Sequence, residues 1–462
     1  MSKTFKKAAI GIVKWSIAIG GIWWVVAHMS LRDSVMLLNP TTNLPVPAVL
    51  AEHADEDAAQ FKVIDPDSGK TETVQRDQLI NPVTKNAKTT IDIEGKKTVV
   101  PLLGARLEGD INRNPSVQQL LVQMPGDSKG TWIAPPVDFH LDVPRPRVEV
   151  GIISMVQHAN PWLLILAVVV FPITFIITSY RWDKLLQAIE IQMSLWRAFE
   201  INMVGAFYNT FMPGSVGGDV FKMYYASKQT PHRTRAIICV FVDRILGLLA
   251  LMLVGGVMAL VQYLENPSLQ DPTSRACAQI ALTCALLMVA GVCGLIVLYQ
   301  PTIRRMLGVE FILNKLPMQK QVTSAREVMR MYRQRPMLIL WALLITIPVH
   351  VTVVISAILC GKAFGLPLRP MYYFSVVPVV VLVGSLPISP KGAGVMEFFA
   401  ILLTQKQGAT VSQAFALTMS IRVVQILWNL TGGIFVLRGG YHAPTDAEQK
   451  EMGEDQQAAA AE

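Results

Sequence analysis

Apolar residues in this chain come in long unbroken blocks, not in the short rhythms of a soluble domain. The blocks at about Ala8–Met29, Pro161–Tyr180, Ala236–Leu264, Ala276–Tyr299, Met337–Gly361 and Gln413–Leu437 each reach the roughly 20 residues that carry a helix across hydrocarbon. They predict six spanning helices. Two further blocks do not read as spans. Ala198–Ala226 is interrupted by Pro213-Gly214-Ser215-Val216-Gly217-Gly218-Asp219, and Met371–Gln405 by Pro387-Ile388-Ser389-Pro390-Lys391-Gly392-Ala393-Gly394. Proline and glycine at that density end a helix. Each block is therefore expected to be a helical hairpin broken at membrane depth, where loose backbone survives only if protein buries it or a wet cavity receives it.

The flanking charges set the direction of each crossing, since basic loops stay on the cytoplasmic side. Lys3, Lys6 and Lys7 precede the first block, and Ala27-His28-Met29 is a poor cleavage site, so residues 1–30 read as an uncleaved anchor. Gln300–Arg335 holds eight Lys/Arg against two acids and is expected inside, while the acidic Glu265–Arg275 is expected outside. Lys362 and Arg369 run against this bias. Arg181, Lys184, Arg197, Arg233 and Arg235 all read as cytoplasmic. The first hairpin must then enter and return on one side, and the second must enter from the other. Both termini fall inside.

Leu31–His158 differs in kind. It carries 13 Lys/Arg against 17 Asp/Glu, a net charge of −4. Alternation in Gln60–Asp65 and Thr89–Val100, with turn signals at Pro66-Asp67-Ser68-Gly69 and Glu94-Gly95-Lys96, predicts a small β-rich extracytoplasmic domain over residues 31–158. Pro-rich linkers are expected at Asn39–Pro47 and Pro135–Pro146, and His140 reads as a surface histidine. Residues 159–440 form the membrane domain. The polar, acidic residues 441–462 read as a disordered cytoplasmic tail.

An internal repeat links the two hairpins. An offset of 178 residues superposes Gly214 on Gly392, Asp219 on Glu397, Arg244 on Arg422 and Gly255 on Gly433. In each half the acid precedes the arginine by 25 residues. With the topology above, the copies run oppositely through the bilayer, the inverted-repeat plan of many transporters. The fold class expected is an all-α polytopic membrane protein with inverted repeats and two re-entrant hairpins, plus the outer β-rich domain.

Composition narrows the chemistry. The chain is 52% hydrophobic and 16% charged, and its net charge of +8 is small for 462 residues and concentrated in loops. That excludes a nucleic-acid reader and fits attraction to a lipid surface. All five cysteines lie in apolar blocks, which gives no disulfide framework. HExxH, GxSxG and paired CxxC motifs are absent, so no catalytic residues, no metal and no cofactor are expected.

What remains is an anion site. Free amides at the break before Asp219, with Lys222 one turn on, favour a phosphate; glycine and proline that merely shape a turn, with Asp219 as its cap, are the plainer reading, and the two are compatible. Lys391, Gly392, Gly394 and Glu397 repeat the logic. Asp243, Arg244 and Arg422 sit inside apolar spans, where ionisable groups either pair structurally or face a cavity. Glu200, Asn202 and Asn209 add polar lining, and His350 reads as a packing residue.

These stretches together resemble a known family. Asn209, Pro213, Gly214, Gly217, Gly218 and Asp219 meet an N-x-x-x-P-G-x-x-G-G-D pattern, Asp243-Arg244 a D-R pair, and Pro390 to Glu397 a P-x-x-x-G-x-x-E run. From about Asn160 to Gly440 the chain is similar to the lysylphosphatidylglycerol synthase transmembrane-region, or flippase-like, family. Lys222 stands where many members carry an arginine. The resemblance implies movement of a lipid headgroup between leaflets. It does not imply aminoacyl transfer, because the soluble transferase domain of MprF-type proteins is expected to be absent here.

The expected function is a multi-pass inner-membrane transporter moving an anionic phospholipid or polyprenyl-phosphate-linked lipid. Its substrate-binding residues would be Asn209, Pro213, Gly214, Gly217, Gly218, Asp219, Lys222, Asp243, Arg244, Lys391, Gly392, Gly394, Glu397 and Arg422. Two other readings stay open: an intramembrane enzyme acting on lipid headgroups through Asp219 or Glu397, and a scaffold presenting the outer domain to an envelope partner. A homo-oligomer is also left open.

Overall fold

A computed structural model of the chain describes residues 3–39, 41–54, 58–64, 69–83, 87–93, 96–108, 116–127, 129–136, 139, 146–211, 217–231, 233–269, 271–306, 308, 327–386 and 388–441. The expected turn at Pro66–Ser68, His140, most of the Pro135–Pro146 linker, Pro213, Gly214, Pro387 and the acidic tail lie outside these residues.

The chain opens with helix α1, Lys3–His28. The β-rich region follows as two antiparallel sheets. In the first, β1 (Ser34–Leu38) pairs β2 (Pro45–Leu50), then come β3 (Gln60–Ile64) and β4 (Thr71–Gln75), and β5 (Leu79–Ile80) lies on the other edge of β1. The second sheet runs β6 (Lys88–Ile93), β7 (Lys96–Glu108), β8 (Ser116–Gln123), β9 (Gly130–Ile133). Ile93 pairs with Lys96, and Glu94 and Gly95 of the expected turn lie outside the described residues. One expectation is corrected. Asn39–Pro47 is not a linker throughout, because Pro45, Val46 and Pro47 pair with Leu38, Leu37 and Met36.

The β-rich region is fastened to the helices at a seam. The last strand, β10 (Val148–Glu149), pairs β1, and α2 (Ile152–Gln157) follows at once. Ile152 and Ile153 donate to the carbonyls of Ser30 and Leu31, and Gly151 donates to Asp33 Oδ1 at 2.7 Å. Ser30 exchanges two hydrogen bonds with the Ser412 hydroxyl, so the end of α1 is held to the last long helix.

The rest is helical: α3 (Pro161–Val170), α4 (Ile173–Ala188), α5 (Leu195–Phe211), α6 (Gly217–Ser227), α7 (Arg233–Glu265), α8 (Pro272–Tyr299), α9 (Pro301–Met306), α10 (Pro336–Ala363), α11 (Pro370–Ser385), α12 (Val395–Thr404), α13 (Val411–Thr431) and α14 (Gly433–Leu437). Local sequence sets several starts. Asn160 caps α3, its Oδ1 accepting from Trp162 and Leu163. Pro336 and Pro370 occupy first turns, where a missing N–H costs nothing. Five segments are long and apolar enough to cross a membrane: Pro161–Ala188, Arg233–Glu265, Pro272–Gly294, Pro336–Ala363 and Val411–Leu437. The first is a correction. The span does not stop at Tyr180, and Arg181 lies inside it, not in a loop.

Three apolar cores hold the helices, and two of them surround the broken pairs. Trp182, Leu185, Phe221, Tyr224 and Val240 belong to the first; Tyr372, Val376, Val380, Ala400 and Ile401 belong to the second. Glycine lets the pieces approach. A Cβ on Gly255 of α7 would come within 2.9 Å of Pro378 in α11. All five cysteines are free, with Cys293 exposed and the others buried as packing thiols.

Candidate functional site

Helices α5 and α6 are the two legs of the first broken pair. Their backbones touch: a Cβ on Gly205 would lie 2.9 Å from the Gly218 carbonyl, and one on Gly218 would strike the Gly205 carbonyl. No larger residue fits either place. Asn209 Oδ1 faces the Gly218 amide at 3.5 Å, and Tyr208 stacks on Phe221 with centroids 3.8 Å apart. Asp219 stands in the first turn of α6, where an acid complements the helix dipole. Its carboxylate accepts from Arg244 Nε, from one helix further on.

Beside it, Asp243 ties four helices together. Arg181 of α4 donates from Nε to Asp243 Oδ1 at 2.9 Å, and from Nη1 to Thr346 of α10 at 2.6 Å. Lys222 of α6 reaches Asp243 Oδ2 at 3.4 Å and lies 4.5 Å from the centre of the Trp182 ring. Both bases and the acid are buried. Removing one member of such a group leaves an uncompensated charge and costs about 3–5 kcal/mol. Lys222 is therefore held by an acid and a ring, where the sequence suggested a cation facing a phosphate.

The second break lies between α11 and α12. Lys391 (φ +52°), Gly392 (φ +67°) and Gly394 (φ +80°) are left-handed, a conformation that the lysine adopts only under constraint. The constraint is Arg422 of α13. Its Nη1 donates to the Lys391 carbonyl at 2.9 Å and its Nη2 to the Gly392 carbonyl at 3.1 Å. These carbonyls have no helical partner, so a planar guanidinium does the work of water. Nη2 also meets Glu397, 3.3 Å from Oε2 and 2.9 Å from Oε1. Glu397 in turn accepts the Gly394 amide on Oε2 at 2.7 Å, capping α12. Its side chain is 0% exposed, against 13% for Asp219.

The breaks meet. Lys391 Nζ donates to the carbonyl of Thr210, in the last turn of α5. Asp219–Arg244 and Glu397–Arg422 are thus two ion pairs of the same sequence spacing, each joining a short helix after a break to the next long helix. Arg181, Lys222, Arg244, Lys391 and Arg422 stand against Asp219, Asp243 and Glu397, five bases to three acids. The cluster has an excess of positive charge, yet every arginine in it has a carboxylate partner.

Residues 151–433, well over half the chain, match the family model described as the lysylphosphatidylglycerol synthase TM region. The chain belongs to that family. No curated protein matches it. The matched region starts just before α2 and includes both breaks and every ion pair described above, while α1 and the β-rich region lie outside it.

Measured against the family region, the expected site residues sort as follows. Asn209, Gly218, Asp219 and Arg244 cluster at the first break, with Lys222 and Asp243 directly behind. Lys391, Gly392, Gly394, Glu397 and Arg422 cluster at the second. Gly217 opens α6. Asn202 donates to Thr178 and Ser179 in the helix alongside, and Glu200 accepts from Arg197 and Tyr441 instead of lining the break. His350 Nε2 lies 3.0 Å from the Gly247 carbonyl, a satisfied packing residue.

Sequence reasoning missed Arg181 and Thr346. It predicted α1 as an anchor but missed that this helix, outside the region the family model matches, packs on the second break. A Cβ on Gly21 would come within 2.7 Å of Gly394 Cα, and Trp24 meets Phe398 edge-on with centroids 6.0 Å apart. The Gly20-Gly21 pair in an otherwise bulky helix was the available signal for that close approach.

Proposed function

We propose that this protein moves an anionic lipid, either a phospholipid or a polyprenyl-phosphate-linked carrier, between the leaflets of the cell's inner membrane. The observation that carries the reading is the bond from Lys391 to Thr210. It draws two glycine-broken helix pairs, each with an acid–arginine pair, into one cluster with excess positive charge. Ionisable groups at this density inside apolar helices are costly and mark a polar path. Arginine forks suit phosphate oxygens.

In this reading α5–α6 and α11–α12 are re-entrant hairpins, entering from opposite faces as halves of an inverted repeat. The matched 25-residue spacing of the two ion pairs supports it. Both termini are cytoplasmic, residues 31–158 lie outside, and the partner is the membrane lipid itself. The headgroup slides past Arg244 and the breaks while the acyl chains stay in the bilayer. The process is transport, not catalysis.

The test is reconstitution with fluorescent phosphatidylglycerol, following loss of outer-leaflet signal to a membrane-impermeant quencher. Arg244→Ala removes a charge-assisted contact of about 1.5–3 kcal/mol. That slows flipping by about tenfold or more. Unchanged flipping in a folded Arg244→Ala protein overturns the assignment. Product formed from lipid by purified protein in detergent would instead favour an enzyme.

A further inference from the structure

We propose that an anionic headgroup enters this site together with a proton, taken up by Glu397. The inference rests on the transport reading above and deepens it by naming the coupled ion.

Both terminal nitrogens of Arg422 are occupied: they hold the Lys391 and Gly392 carbonyls and the Glu397 carboxylate, and only Nε is without a partner. A phosphate that takes the terminal fork of Arg422 without undoing the break displaces the carboxylate, because the two carbonyls are what keep the left-handed turn in place. Glu397 is fully buried, and its Oε1 has no hydrogen-bond donor apart from the arginine facing it. Once displaced, it is a carboxylate in an apolar wall with only the Gly394 amide on Oε2. A bare buried carboxylate is costly enough that it neutralises.

The residues that touch the turn offer no replacement charge in place of Arg422, and the nearest base on α1, Lys14, is one helical turn before Ala18. Lys391 points its ammonium at Thr210. From α1 the break meets Ala18 and Gly21, and from α11 Gly384, none of them charged. His28, the histidine of α1, has Nδ1 turned to the Trp24 carbonyl. In α11 the Tyr372 hydroxyl donates to the Leu403 carbonyl. Two neighbouring polar atoms, Ser389 Oγ and Arg422 Nε, are buried without a partner. They sit in and against the same turn, so the pocket has room in its hydrogen bonding for a phosphoryl oxygen.

The step balances. Arg422 exchanges a carboxylate oxygen for a phosphoryl oxygen, and Glu397 takes one proton from water to become the neutral acid. On release the phosphate departs, the acid returns its proton, and the ion pair re-forms. One negative charge and one proton move together, so the loaded site gains no net charge. The Asp219–Arg244 pair is less enclosed, with Arg244 39% exposed on its side chain, and the proton is assigned to Glu397 alone.

The experiment is calorimetry on the purified full chain with dioctanoyl phosphatidylglycerol, whose phosphodiester does not titrate between about pH 5.5 and 8, in buffers of different ionisation heat. The expected result is about one proton taken up per lipid, with affinity rising toward about tenfold per pH unit as pH falls. Glu397→Gln, which mimics the protonated acid, is expected to bind at every pH as the wild type does only at low pH, with no proton uptake. Wild-type binding without proton uptake overturns the inference and leaves the transport reading standing, as does uptake that persists in Glu397→Gln. The wild-type count needs no variant, so a poorly folded Glu397→Gln leaves the question decidable. Failure of the wild type to bind the lipid overturns the transport reading and this inference with it.

Discussion

The side chain of Lys391 reaches the backbone carbonyl of Thr210, 181 residues earlier in the chain. This bond joins two segments that share no secondary structure. It also supplies a donor to a carbonyl in the last turn of α5, where helical partners run out.

Lys391→Met keeps the length and apolar body of the side chain but removes the donor. A single hydrogen bond of this kind is worth about 1 kcal/mol net, so the melting temperature is expected to fall by only a few degrees. Lipid flipping should fall far more, since the register between the breaks is lost. Thermal unfolding alongside the vesicle assay checks both. Equal loss in both measurements would make the bond merely structural.

Gly218→Val forces a branched side chain against the Gly205 carbonyl and Asn209. Helices α5 and α6 must part, at a cost of about 1–3 kcal/mol from overpacking alone. Gly20, with open space around it, serves as the control: Gly20→Val is expected to leave stability near wild type. Unfolding of both proteins in the same detergent decides. A Gly218→Val protein as stable as the Gly20→Val control would contradict the close contact.

Tyr441 follows the last span and gives the chain a pH-dependent fastening. Burial, then the hydrogen bond its hydroxyl donates to Glu200 at 2.9 Å, raise its pKa above the ordinary tyrosine value. In the unfolded chain the phenol ionises near pH 10, roughly. Below that pH both states hold the proton and the contribution is intact. Above it the unfolded state loses its proton first, so stability falls as pH rises through the folded value. Tyr441→Phe should flatten that part of the alkaline decline, measured as unfolding midpoint between about pH 9 and 11. An identical decline in both proteins would remove the tyrosine from the account.

Several features were legible in the chain before any coordinates. The apolar blocks predicted the long helices, because a lipid-facing helix needs a near-continuous apolar surface and leaves little room for ambiguity. The two Pro/Gly interruptions predicted the breaks. The 25-residue acid-to-arginine spacing marked Asp219 and Glu397, and Arg244 and Arg422, as equivalent positions of a repeat, while their bonding to each other came only from the structure.

Other features were not legible, for stated reasons. Arg181 follows Tyr180 at the end of an apolar block, where a basic residue is usually a loop charge. Only the continuation of α4 to Ala188, and Asp243 62 residues later in the chain, turn it inward. Lys222 carried the same charge in either role, and its partners Asp243 and Trp182 come from other helices.

The sequence by itself determined which segments are helices, where they break and which residues are too polar for an apolar wall. Those are local properties, set by backbone freedom and by solvation one residue at a time. Tertiary structure alone decided the partners: that the breaks touch through Lys391, that Arg422 is spent on the carbonyls of a turn, and that α1 seals the second break through Gly21. Each pairing joins residues far apart in the chain, and the physics that selects it, satisfying every buried charge and amide at once, has no local signature.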